Sequence, residues 1–247
     1  SLANVTVDRT VQEKVIAFTT DGRLYYTGRE WLVRLAKHHG IELRQSYRRR
    51  GKQALFMQHR YGASRQMRRA PRELKRSKIF LRRVSRDLQR NLAAQSAQVQ
   101  QRFAEPMACV ARLLAQQRND KKKLYSLHAP EVECIGKGKA HKKYEFGIKV
   151  SLAATQRDNF IVGSLALPGN PFDGHTLQAA LKQVERLTGQ KAQRCFVDRG
   201  YRGHGSQDTE VYIAGQKRGL TQALRRALKR RNAIEPIIGH TQCDGLM

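Results

Sequence analysis

The chain holds only nine aspartates, and two of them close short apolar runs: Asp8 ends VTVD and Asp198 ends CFVD. In α/β sheets the C-terminal ends of strands form the functional edge. Two carboxylates delivered to that edge repel each other unless a cation lies between them. A third acid, Glu235, sits in RRALKRRNAIEPIIGH, on or at the start of a late helix, four and five residues after Arg231 and Arg230. Oxygen donors without paired His or Cys suit Mg²⁺ or Mn²⁺. Each acid also has a plainer explanation. Asp8 could cap a turn, Asp198 could be a loop acid beside Gly200, and Glu235, three residues after Asn232, could complete a capping box.

Other motifs carry less. GYRGHG lacks the spacing of a dinucleotide fingerprint, and GKGKAHKK lacks the full phosphate-loop pattern. His141 and His175 are unpaired, and Ser206 has no nucleophile elbow around it. Cys109, Cys134, Cys195 and Cys243 are scattered singly, which gives no zinc spacing and fits a reducing compartment. The single Trp31, in REWLVRLAKHHG, is expected in the core of an amphipathic helix stopped by Gly40.

Positioning those acids falls to a strongly basic chain of 247 residues with a formal net charge of +28. Such a surface favours a polyanionic partner. Residues 44–90 carry 17 Lys and Arg against Glu73 and Asp87 alone. Leu74, Leu81 and Leu88 recur at seven, with Val84 and Leu92 between them, so one helical side is apolar and arginine fills the others. Residues 55–119 are expected to form two or three helices, with Pro71 and Pro106 as boundaries or kinks. A solvated arginine-rich face is the bland alternative, but this much like charge calls for phosphate. Arg48, Arg49, Arg50, Arg68, Arg69, Arg82, Arg83, Arg230 and Arg231 are the candidate DNA contacts. No segment is apolar enough to span a membrane, and SLANVTVDRT is not a signal peptide. A cytoplasmic, nucleoid-associated protein is expected.

Elsewhere the pattern alternates. Strands are expected at 2–8, 144–153 with Phe146, Ile148, Val150 and Leu152 on one face, 160–167, 194–198 and 211–213. Helices are expected at 174–187, with Leu177, Leu181, Val184 and Leu187 facing the core, and from Gly219 onward through Leu220, Leu224 and Leu228. This order predicts an α/β fold, a mixed sheet flanked by helices.

Several segments together resemble the cut-and-paste transposases of bacterial insertion sequences: VDRTVQEKVIAFTTDGRLY, LVRLAKHHGIELRQSY, YSLHAPEVECIGKGKAHKKYEFGIKVS, GNPFDGHTL, VDRGYRGHG, VYIAGQKRGL and KRRNAIEPIIGH. The resemblance implies a DDE enzyme with a ribonuclease-H-like core at 1–8 and 126–247, interrupted by a basic, mainly helical insertion at 9–125. It makes Asp8, Asp198 and Glu235 the catalytic and metal-binding triad and Arg231 the basic partner of the glutamate. Two Mg²⁺ or Mn²⁺ ions are implied, about 3.5–4 Å apart, serving the attacking and leaving oxygens of one phosphodiester. Double-stranded DNA, both element ends and target, is the implied partner, with self-association on it.

The chain departs from the family's pattern at Arg9, where a threonine is usual, at Leu228 in place of a tyrosine, and at Gln242 in place of a lysine. It also starts almost on the first catalytic strand and ends soon after Glu235. A chain truncated at both ends, with weak or lost activity and a frayed Glu235 helix, is therefore expected. A non-catalytic DNA- or RNA-binding protein and a nuclease that cuts without joining are the competing expectations.

Overall fold

The structure, a computed structural model, describes residues 2–14, 16, 20–117, 119–120, 122–136 and 143–244. The chain divides into two compact units, Ser1–Lys14 with Glu133–Met247, and Val15–Val132. The boundaries thus fall at 15 and 132, where the sequence reading puts the insertion at 9–125. Among the described residues no helix is long and apolar enough to cross a membrane.

The first unit is a mixed sheet with helices. Its strands are β1 (Asn4–Glu13), β2 (Glu133–Gly136), β3 (Tyr144–Thr155), β4 (Ile161–Leu167), β5 (Arg194–Val197) and β6 (Glu210–Ile213). β3 runs antiparallel to β1, while β5 lies parallel to β1 on its other side and β6 parallel to β5. β2 and β4 pair with successive stretches of the outer edge of β3, both antiparallel. The first strand does not end at Asp8 as expected. Its alternation resumes with Thr10 and Val11, and β3 pairs with it as far as Glu13. Gly147 of β3 lies opposite Glu13 on one side and Glu133 on the other. A Cβ there would fall 2.0 Å from the Gln12 carbonyl oxygen, so no larger residue fits.

Past Lys149 both faces of β3 are buried, so the single apolar face expected for it is only half of the pattern. The hairpin to β4 turns at Asn159, whose φ of 61° is a conformation asparagine tolerates better than most residues. A 3₁₀ turn, Asp173–Thr176, leads into α5 (Leu177–Thr188), which ends at Gly189 with φ 69°. Leu177, Leu181 and Val184 pack with Val5, Val7, Cys195 and Val197 beneath the sheet. Leu187, expected in that core, is instead 58% exposed. The unit closes with α6 (Gln222–Arg230), which buries no residue fully, and α7 (Ile234–Cys243).

The second unit is helical: α1 (Asp21–His38), α2 (Arg48–Ala63), α3 (Ala70–Leu92) and α4 (Ala97–Ala115). Thr20 caps α1 by accepting the Arg23 amide at 3.3 Å. Leu24, Leu32, Leu81, Leu88, Phe103 and Leu113 form the core, with Trp31 packed partly buried against it. The basic RRR run is itself the start of α2, ahead of the expected helical region. Pro71 lies in the first turn of α3, where its missing N–H costs nothing, whereas Pro106 lies inside α4 without ending it.

Candidate active site

The parallel pairing sets Thr6 opposite Phe196. Carried two residues further along extended backbone, that register puts Asp8 level with Asp198, on the face opposite Val5 and Val7. Asp8 therefore lies inside β1 by pairing with β3, but just beyond the point where β5 stops covering its other edge. On the same face α7 crosses β1. Its Gln242 donates from Nε2 to Thr10 Oγ1 and to the Val11 carbonyl, both at 2.8 Å. Glu235 occupies the first turn of α7. The expected fraying is not found: α7 continues through Pro236 to Cys243, and Gln242 ties its end to the sheet. Two such bonds contribute roughly 1 kcal/mol each. Gln242→Ala is expected to lower stability by about 1–2 kcal/mol, measured by urea unfolding, and Gln242→Lys to lose at least the carbonyl-directed geometry of the amide.

The charges of the three acids meet. Burial pushes the Asp8 carboxyl above its usual range; the Arg9 amide (2.8 Å to Oδ1) and Arg231 pull it down, and the charges of Asp198 and Glu235 push it up. Asp198 is exposed at the end of β5. Arg231 is buried, with Nη1 3.1 Å from Asp8 Oδ2 and Nη2 3.8 Å from Glu235 Oε1. It also donates to Asn232 Oδ1 at 3.0 Å, so Asn232 serves the arginine and does not cap α7.

These donors are hard oxygens on one face of one sheet edge, which is the donor chemistry a divalent cation requires. Among the described residues, however, no three His, Cys, Asp or Glu side chains stand close enough together to hold one ion. The Arg231 guanidinium bridges two of the three acids. Glu235, with a side chain 66% exposed, has room to leave it.

The Arg9 side chain pairs with Asp173 and not with Asp8. As neighbours on a strand, the two side chains take opposite faces, and Arg9 Nη1 lies 2.7 Å from Asp173 Oδ1. Lys149 Nζ lies 3.2 Å from the same oxygen and donates to the Pro171 carbonyl at 2.7 Å. Asp173 and Lys149 are both buried. Burial lowers the Lys149 pKa, and Asp173 opposes that shift. Tyr201, also buried, has its pKa raised by burial first and then by Asp8 and Asp173, so its phenol stays neutral between the two clusters. Neither type nor spacing marks Asp173 for this role, although GNPFDGHTL is among the segments carrying the resemblance.

The expected DNA contacts separate into two groups. Arg48, Arg49, Arg50, Arg68, Arg69, Arg82 and Arg83 are exposed on the helical unit. Arg230 and Arg231, by contrast, are committed to the protein itself. Arg230 donates to the Gln156 and Arg157 carbonyls at 2.9 and 2.6 Å, fastening the end of α6 to the β3–β4 hairpin, and Arg231 holds Asp8. Arg231 is buried, whereas Arg230 remains exposed beside those two bonds.

Comparison with known proteins yields one partial likeness. The chain is 56% identical over 66 residues to "Uncharacterized protein ORF8 in nfe locus" of Rhizobium meliloti, which covers 27% of this chain and 32% of that protein. The chain thus spans about a third of the length of this relative. No protein-family model matches the chain, and no solved structure matches it.

Proposed function

We propose that the chain is the catalytic part of a DDE-type insertion-sequence transposase, built on a ribonuclease-H-like sheet with a DNA-binding helical insertion. The observation that carries this is the convergence on one sheet edge of Asp8 and Asp198, level on neighbouring parallel strands, with Glu235 on the helix crossing the same face. The strand order β3-β1-β5-β6, with β2 and β4 both on the outer edge of β3, β3 antiparallel and β5 and β6 parallel to β1, supports the ribonuclease-H-like assignment.

Asp8, Asp198 and Glu235 would hold Mg²⁺ or Mn²⁺, which supplies Lewis-acid stabilisation of the attacking and leaving phosphodiester oxygens. Asp8 is fixed by the Arg9 amide on one oxygen and by Arg231 on the other, so Arg231 would compete with a cation for that second oxygen. Glu235 stands exposed in the first turn of α7, while Gln242 keeps the far end of the helix on β1. The Arg9–Asp173–Lys149 cluster holds the 171–173 segment against β3 and β1 on the opposite face. The Arg231 bridge favours weak activity, or a non-catalytic DNA-binding role as the second possibility.

The test is a labelled duplex carrying the element's terminal inverted repeats, incubated with the chain and Mg²⁺ or Mn²⁺. Cation-dependent nicking and joining are expected, weaker with Mg²⁺ because it demands near-ideal ligand geometry. DNA binding without nicking under either ion leaves only the non-catalytic role.

The helical unit's arginines are expected to contact phosphates. Replacing Arg68, Arg69, Arg82 and Arg83 with glutamine should weaken binding to all duplexes alike. It should also flatten the plot of log affinity against log salt, by about 0.9 for each phosphate no longer neutralised. Anisotropy titrations at several salt concentrations measure both. An unchanged slope in the variant removes these residues from the interface.

A further inference from the structure

We propose that Arg44, Arg83, Arg86 and Arg90, with Tyr47, form a built phosphate pocket in the helical unit that grips one phosphodiester of the DNA backbone. The inference deepens the DNA-binding part of the function proposed above and rests on it. None of Arg44, Arg86, Arg90 and Tyr47 stands out in the sequence.

The pocket, of about 180 Å³, is lined by Arg44, Gln45, Tyr47, Arg83, Arg86, Asp87 and Arg90. Four arginines and a single carboxylate line it, and that carboxylate is already engaged. Asp87, buried on α3, accepts the Arg44 amide at 2.8 Å and lies 3.8 Å from Arg44 Nε. It therefore anchors the 44–47 segment to α3 and leaves an excess of positive charge around the cavity. Residues 83, 86, 87 and 90 recur at helical spacing, so α3 presents all four along one side.

The other wall is held as firmly. Tyr47 has φ 54° immediately before α2, a conformation that costs a non-glycine residue free energy and persists where surroundings enforce it. Its ring stacks on buried Phe80, with centroids 4.7 Å apart and planes 15° from parallel. Its hydroxyl receives a hydrogen bond from Arg83 Nη1 at 3.3 Å. Arg83 is thus oriented before any ligand arrives, through a ring that is itself pinned to the core.

Guanidinium groups recognise phosphate with paired, directional donors. Four arginines lining one small cavity fit a compact anion. An acidic peptide would present single carboxylates on flexible stems and match this arrangement less well. A phosphodiester is therefore the group the pocket fits, and a helical unit with 17 Lys and Arg between residues 44 and 90 would bring its backbone there.

The experiment measures anisotropy of a 20-base-pair duplex with the whole chain, as wild type, as R86Q/R90Q, as the equal-charge control R60Q/R72Q on exposed helical positions, and as Y47F. Circular dichroism establishes that each variant is folded. The expected result is a loss of more than about tenfold in R86Q/R90Q, with the salt slope smaller by about 1, as one fewer neutralised phosphate predicts. The control should lose less than about threefold, and Y47F, which keeps the stack but releases Arg83, should fall between. Equal losses in R86Q/R90Q and the control, with wild-type binding intact, would overturn the pocket and leave the DNA-binding function standing. No duplex binding by the wild type overturns that function and the pocket with it. Poly-L-glutamate bound as tightly as the duplex, and weakened by the same factor in R86Q/R90Q, would overturn the phosphate assignment.

Discussion

Asp8→Asn and Asp198→Asn are each expected to reduce cation-dependent DNA cleavage by on the order of a thousandfold, the scale seen when a group that stabilises developing charge is removed. The loss should not come from unfolding. In the folded chain the Asp8 carboxyl titrates above its ordinary range because burial outweighs the help of Arg9 and Arg231. A carboxyl raised in this way contributes stability below its unfolded pKa, and that contribution is lost as pH rises through the folded value. Near neutrality the ionised Asp8 therefore weighs on the fold. Asp8→Asn removes that burden while its amide oxygen can still accept from Arg231. The variant should unfold at the same or a higher temperature than wild type at pH 7, and the difference should vanish in acid. A thermal scan across pH beside the cleavage assay separates lost chemistry from lost structure. Cleavage unchanged in both variants would remove the carboxylate edge from the reaction.

The largest effect on stability is expected on the opposite face of the sheet. Asp173→Ala leaves Lys149, 4% exposed, without its counter-ion. Breaking a buried pair from one side costs about 3–5 kcal/mol, whereas replacing both partners with apolar groups is often close to neutral. Urea unfolding should show that loss for Asp173→Ala and recovery of most of it in Asp173→Leu with Lys149→Met. Arg9, whose side chain is 44% exposed, can turn to water in either case. Lys149 already titrates below its usual value through burial, and without Asp173 it falls further. The unfolded chain then binds the extra proton, so the deficit of Asp173→Ala should shrink as pH rises toward the ordinary lysine range. A deficit independent of pH would mean that the cluster acts through packing alone.

The helices and most strands are legible in the sequence because their apolar spacing is regular. Leu74, Leu81, Val84 and Leu88 mark α3, and Arg194–Val197 reads as a strand from CFV and its flanks. What escapes has a common cause: a polar residue performs a buried task. Asp8 and Arg9 interrupt the apolar alternation of β1, so the strand reads as ending where it only loses β5 and keeps β3. Lys149 looks like the solvent position of a half-buried strand, yet its charge is met by an aspartate 24 residues away in a loop rich in Pro and Gly. Arg231 reads as one more cation in a basic helix, and only the fold brings it 223 positions back to Asp8. Asp8, Asp198 and Glu235 emerge from two strand endings and a family likeness. The likeness also marks Arg231 as partner of the glutamate, but its bond to Asp8 appears only in the fold.

Gly147 has an architectural consequence. Because it is paired with Glu13 on one side and Glu133 on the other, the chain leaves the sheet and rejoins it only two strand widths apart, roughly 10 Å. Three or four extended residues span such a gap. The helical unit is in this sense a cassette carried between two fixed posts. Excising it for a short linker would leave every strand pairing and the Asp8–Asp198 level untouched. A cassette of another length or another composition could be carried on the same posts without resetting the sheet.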